Sequence, residues 1–141
     1  MRFMVLVKAT KESEAGQMPS KELINEMGKF NTEMVKAGVL LDGNGLSASS
    51  KGKRLTWGNG KVDVIDGPFA ETKELVSGFW MIQVKSMDEA VEWIRRAPMI
   101  PGSNVEIRKV MGPEDFGPEF AEEMAKEAKL AAQLEAQKKQ G

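Results

Sequence analysis

Two segments, Arg2–Lys8 and residues 79–84, place apolar side chains on both faces of a strand, which restricts the fold more than any other feature. In the first, Phe3, Val5 and Val7 fall on one side and Met4 and Leu6 on the other. In the second, Trp80, Ile82 and Val84 alternate with Phe79 and Met81. Successive strand residues point to opposite faces. Both segments therefore need cover above and below, because a wide apolar sheet face does not stay wet. Helices supply one cover, and something else must supply the other.

The intervening pattern is helical. Ser20 is placed to cap a helix in which Leu23, Met27, Phe30 and Met34 recur at i, i+4, i+7 and i+11, with Ile24 and Val35 widening the stripe. Gly38 stands where a helix terminator belongs. Residues 11–19 read as a polar loop and residues 39–41 as a short strand. Asp42-Gly43-Asn44-Gly45 reads as a turn; it lacks the third glycine and following helix of a nucleotide-binding loop. Residues 53–57 and 61–66 flank Gly58-Asn59-Gly60, a hairpin signal. A strand over 78–85 follows.

Ser86-Met87-Asp88-Glu89 reads as a capping box opening a second helix, with Met87, Ala90, Val91, Ile94 and Ala97 inward and Pro98 stopping it. Residues 104–110 form a last strand. Its Glu106 and Arg108, opposite Val105 and Ile107, are expected to make a rim ion pair. Strand, helix, hairpin, strand, helix, strand is the order of an α+β, ferredoxin-like split βαβ antiparallel sheet with its helices on one face. A C-terminal helix is added over 120–139, with Phe120, Met124, Ala128 and Ala131 as its stripe. It is expected to dock loosely on its own domain or a partner subunit and to fray toward Gly141. Residues 1–112 are read as the domain and 113–141 as its loop and helical extension. The second face of the sheet, with Met4, Leu6, Phe79 and Met81, is expected to pack on another copy, making a homodimer.

Composition removes several functions. The chain has 20 basic and 21 acidic residues, a balance that offers nucleic acid no basic surface. It holds no apolar run near the ~20 residues of a membrane span. The apolar N-terminal run is too short for a signal peptide and reads as a strand. Without cysteine there is no disulfide, thiolate metal site or cysteine nucleophile, which fits a cytoplasmic protein. Without histidine there is no serine–histidine triad and no imidazole metal ligand. No metal or other cofactor is expected, and acid–base work falls to Asp, Glu, Lys or Arg.

Residues 66–74, Asp-Gly-Pro-Phe-Ala-Glu-Thr-Lys-Glu, leave a period-two strand carrying Val62, Val64 and Asp66 on one side and bring four ionisable groups onto a single loop. Asp66, Glu71 and Glu74 are candidate catalytic acids or bases, and Lys73 the opposing charge, for a small polar ligand. The bland reading makes Asp66 an acceptor for loop amides and leaves the others solvated or paired. Among the tryptophans, Trp80 reads as core and Trp57, beside the hairpin turn, as the exposed one.

This loop, with Gly78-Phe79, Asp88-Glu89-Ala90 and Trp93, Glu106-Ile107-Arg108 and Glu114-Asp115-Phe116-Gly117, resembles the YCII-related family in its DGPF-motif branch. The resemblance spans nearly the whole chain. It implies a ferredoxin-like subunit that dimerises through its sheet, in a family of small cytosolic proteins mostly without an assigned reaction. Some members carry a His–Asp pair proposed to be catalytic, which a chain without histidine does not reproduce. Asp66, Glu71, Lys73 and Glu74 are the motif residues that carry over as a candidate site. The expectation is binding of a small organic, cyclic compound, with carboxylate-driven elimination or isomerisation. The alternative is a non-catalytic regulatory or interaction module, linked through the branch's setting to extracytoplasmic-function sigma factors.

Overall fold

The computed structural model describes residues 1–140. Contacts divide the chain into two units, one from Met1 to Val110 and one from Met111 onward. In the first, the sheet runs β2-β5-β1-β6, formed by Leu40–Gly45, Val76–Gln83, Arg2–Lys8 and Val105–Lys109. Every neighbouring pair is antiparallel. Setting aside the hairpin of β3 (Lys53–Gly58) and β4 (Lys61–Asp66), this is the ferredoxin-like order. The fold class expected from the sequence is the one observed.

The central strands β1 and β5 pair Phe3 with Ile82 and Val5 with Trp80. These four are buried with Val84, Val39, Ala90, Ile94, Phe30 and Met34, forming one core on the helix side. Phe30 meets Trp80 edge to face, with centroids 5.7 Å apart. Helix α2, Lys21–Lys36, begins where Ser20 Oγ accepts the Leu23 N–H at 3.1 Å. It ends in a Schellman motif: Gly38 at φ +72° donates to Val35 O and Val39 to Met34 O. Met34 and Val39 are both core residues, so the cap also closes the packing. Ile24 and Val35, expected to widen the buried stripe, are 50% and 61% exposed. The stripe is narrower because α2 meets a single sheet face.

Four further readings are corrected. Residues 11–19 contain a short helix α1, Lys11–Glu14, capped reciprocally by Thr10 and Ser13. Asp42-Gly43-Asn44-Gly45 continues β2 instead of turning, since β5 offers it a ladder partner. In α3, Met87–Ile94, Ala90 and Ile94 are buried and Trp93 packs against the core, whereas Met87 and Val91 face outward. The Trp93 ring is larger than Val91, and its face carries Arg96 at 4.0 Å. Ser86 Oγ accepts the Glu89 N–H, but the Glu89 carboxylate reaches Lys85 N–H, one residue before the cap. Glu106 and Arg108 do pair, at 3.1 Å, and Lys8 approaches Glu106 at 3.8 Å.

The second unit contains helix α4, Ala121–Gln140, preceded by two short 3₁₀ turns. It has no buried residue, and of its expected stripe Met124 is the half-buried member. Phe116 and Phe120 stack edge to face at 6.1 Å. Gly141, toward which fraying is expected, lies outside the described residues. None of the described helices is long and apolar enough to cross a membrane.

Candidate functional site

Two glycines placed side by side create a hollow in the sheet. Gly45 of β2 pairs with Gly78 of β5, and Gly78 faces Val7 of β1. Gly43, two residues earlier, pairs with the inward-facing Trp80, so all three glycines share the helix-facing surface. Between the two glycines no side chain rises, and Val7 beyond Gly78 forms part of the floor. A cleft of about 750 Å³ opens there, beneath the first half of α2.

The glycines are not equivalent. A Cβ at Gly43 would stand 2.9 Å from Trp80 Cδ1, and one at Gly78 would stand 3.1 Å from Asn44 O. A Cβ at Gly45 would meet nothing within 4 Å. Packing therefore demands glycine at 43, while at 45, a lining residue of the cleft, a side chain would meet open space.

Leu23, Met27 and Asn31, on one stripe of α2, form the roof. Met99 and Ile100 close one side, and Thr10, Glu12 and Ser13 of α1 the other. The Trp80 indole N–H donates to Asn31 Oδ1 at 2.9 Å. An indole nitrogen can only donate, which fixes the amide orientation and leaves Asn31 Nδ2 as the donor toward the cleft. Of the cleft's lining residues, Lys8 and Glu12 are the ionisable ones.

The loop of the sequence motif lies elsewhere. Asp66, Glu71, Lys73 and Glu74 are exposed, and none lines the cleft. Asp66 ends β4 and pairs with Lys53, its cross-strand neighbour, instead of holding loop amides. Glu71 occupies the left-handed region at φ +68°, ψ +55°, and its carbonyl accepts the Glu74 N–H at 2.8 Å. Gly67 donates to Gly52 O at 3.0 Å, and a Cβ on Gly67 would lie 1.7 Å from Ser49 O. The Phe69 N–H donates to Ser49 Oγ at 3.0 Å, while the Arg54 guanidinium sits 4.1 Å above the Phe69 ring. The structure thus brings backbone and ring together at this motif and leaves the four charges spread over its surface.

Ser49 joins the loop to α1. Its N–H donates to Glu14 Oε2 at 2.9 Å and its hydroxyl to Glu14 Oε1. These bonds hold the Glu14 carboxyl below the usual glutamate range, the hydroxyl contributing most. The chain Glu14–Ser49–Phe69 ties the motif loop to the helix whose other side borders the cleft. Sequence reasoning missed both the cleft and this tie. The period-two spacing of Gly43 and Gly45 was a possible signal for the cleft; the tie spans 35 residues and had none.

Fold and cleft together define a ferredoxin-like α+β domain with an open pocket between sheet and first long helix. The chain belongs to the YCII-related domain family, matched over residues 1–116. An uncharacterised protein of Rhizobium meliloti (strain 1021) is 33% identical over 75 residues, 53% of this chain; the match spans 60% of that protein's length. The 5-chloro-2-hydroxyhydroquinone dehydrochlorinase of Burkholderia phenoliruptrix AC1100, solved with 2,5-dihydroxybenzoquinone, is 15% identical at a TM-score of 0.37. That comparison covers 83% of this chain and all of the other, a likeness too loose to inform function.

Proposed function

We propose that this protein binds a small organic molecule in the cleft between α2 and the glycine-lined end of the sheet. The observation that carries the reading is the cleft itself, at whose wall Gly45 leaves a volume that no atom fills within 4 Å of where its Cβ would stand. The cleft's size falls within the usual ~300–1,000 Å³ of ligand sites. Apolar walls from Leu23, Met27 and Trp80 suit a cyclic compound, and Asn31 Nδ2 suits a carbonyl or other acceptor on it.

Elimination or isomerisation fits this arrangement. A carbonyl held by Asn31 acidifies the neighbouring C–H, and a carboxylate takes that proton. In elimination, the electron pair left behind then forms a C=C bond as a leaving group departs from the next carbon with its own bonding pair. In isomerisation, the carboxylic acid returns the proton to a different atom of the enolate. Glu12 is the carboxylate at the cleft, so it is the base in this scheme. Asp66, Glu71, Lys73 and Glu74 would act on a ligand only at a second, outer surface. The subunit is proposed to work as a homodimer, with the Met4, Leu6, Phe79 and Met81 face at the contact.

Thermal-shift screening of cyclic carbonyl compounds, followed by titration of variants, tests the reading. Gly45→Val fills the cleft at a backbone position that tolerates a side chain, and should abolish the ligand-induced shift while leaving the free protein folded. Asp66→Asn and Glu71→Gln should bind like the parent. If Gly45→Val binds normally and Asp66→Asn does not, the site is the loop and not the cleft. Where a reaction is found, Glu12→Gln should lower kcat by about 10²–10⁴-fold.

A further inference from the structure

The β3–β4 hairpin presents an apolar face that none of the described residues covers. The register pairs Leu55 with Val64 and Trp57 with Val62, so these four share one face, with the Lys53–Asp66 pair at its base. They are 50%, 59%, 74% and 47% exposed respectively. The opposite face carries Arg54, Thr56, Asp63 and Ile65. Every residue of both strands is exposed. A two-stranded ribbon on its own is marginal in water, yet this one is anchored firmly at its base through Gly67, Phe69 and Ser49.

We propose that the hairpin is an arm that packs its Leu55–Trp57–Val62–Val64 face on a second copy of this chain. A transient foreign partner would leave the arm bare for most of the protein's life, whereas an identical subunit covers it permanently. The four side chains expose roughly 400 Å², at the level of the largest apolar patch a monomer usually carries. That is about half of the ~800 Å² each partner gives to a standard dimer. The same chain offers the remainder on the outer sheet face, where Met4 pairs with Met81 and Leu6 with Phe79. Charge permits the match. The arm's face carries its own Lys53–Asp66 pair and the sheet face its own Glu106–Arg108 pair, while Asp42, in register with Met81 on that face, accepts the Gly43 N–H. A two-fold axis then gives two arms, each covered by the other subunit.

Sedimentation velocity across micromolar concentrations reads the outcome. The parent should be a dimer, and Trp57→Asp and Val64→Asp should each weaken it by roughly 100-fold or more while far-UV circular dichroism stays unchanged. Thr56→Asp, on the opposite face, should leave the dimer intact. The emission of Trp57, taken as the difference between parent and Trp57→Phe, should be blue-shifted in the dimer and red-shifted on dilution. A monomeric parent overturns the proposal. So does a dimer unaffected by Trp57→Asp with Trp57 emission typical of water, which would leave the sheet face as the contact.

Discussion

Gly67 shows how one residue can be indispensable without any chemistry of its own. Its Cα sits so close to the Ser49 carbonyl that a methyl group has nowhere to go. Gly67→Ala should cost on the order of 3 kcal/mol in urea unfolding. Asp66, next to it, is more conspicuous and matters less to stability. Its partner is an exposed lysine, so Asp66→Asn should cost at most about 1 kcal/mol. Ser49 lies between these extremes: its hydroxyl donates to Glu14 and accepts from the Phe69 N–H. Ser49→Ala should cost about 1–3 kcal/mol, because the Phe69 N–H loses its acceptor and Glu14 keeps only the bond from the Ser49 N–H. Glu14 adds a pH signature. Its carboxyl is held low when folded, so its contribution is full above the ordinary glutamate range and disappears as pH falls through that range and below. Glu14→Gln should lower the urea midpoint at neutral pH, with the gap to the parent closing in acid. A gap independent of pH would mean that the ionised carboxylate is not what Ser49 binds.

At the scale of elements, the two long helices of the first unit both start at the serine that caps them and α2 also ends at its glycine, but both follow their apolar stripes only in part. α2 ends at Gly38 because a left-handed residue lets Val39 turn back onto Met34. Gly38→Ala should cost about 1 kcal/mol from that conformation, since no clash awaits the methyl. Met34, fully buried, should cost about 2–5 kcal/mol when cut to Ala, measured by the same unfolding. In α3 the stripe placed Val91 inward, whereas it is Trp93 that packs against the core.

For the whole molecule, the sheet does two different jobs on its helix-facing surface. At one end Phe3, Val5, Trp80 and Ile82 fill the space beneath the helices. At the other, Gly45 and Gly78 leave it empty, so core and cleft are consecutive stretches of the same strands. The hairpin inserted between β2 and β5 lies outside both.

Much of this was legible in the order of residues. Alternation in Arg2–Lys8, the spacing of Leu23, Met27, Phe30 and Met34, and Asn59-Gly60 between alternating runs led to the sheet, its main helix and the hairpin. Those signals are local: periodicity and caps act within a few residues of chain. The motif loop was equally visible, but its charges drew attention that its backbone and ring contacts warranted. Only the tertiary structure decided where the cleft opens, that Glu14 is bonded to Ser49, and that residues 42–45 form a strand. Each depends on register between segments far apart in sequence, and register is set by packing, which no single segment contains.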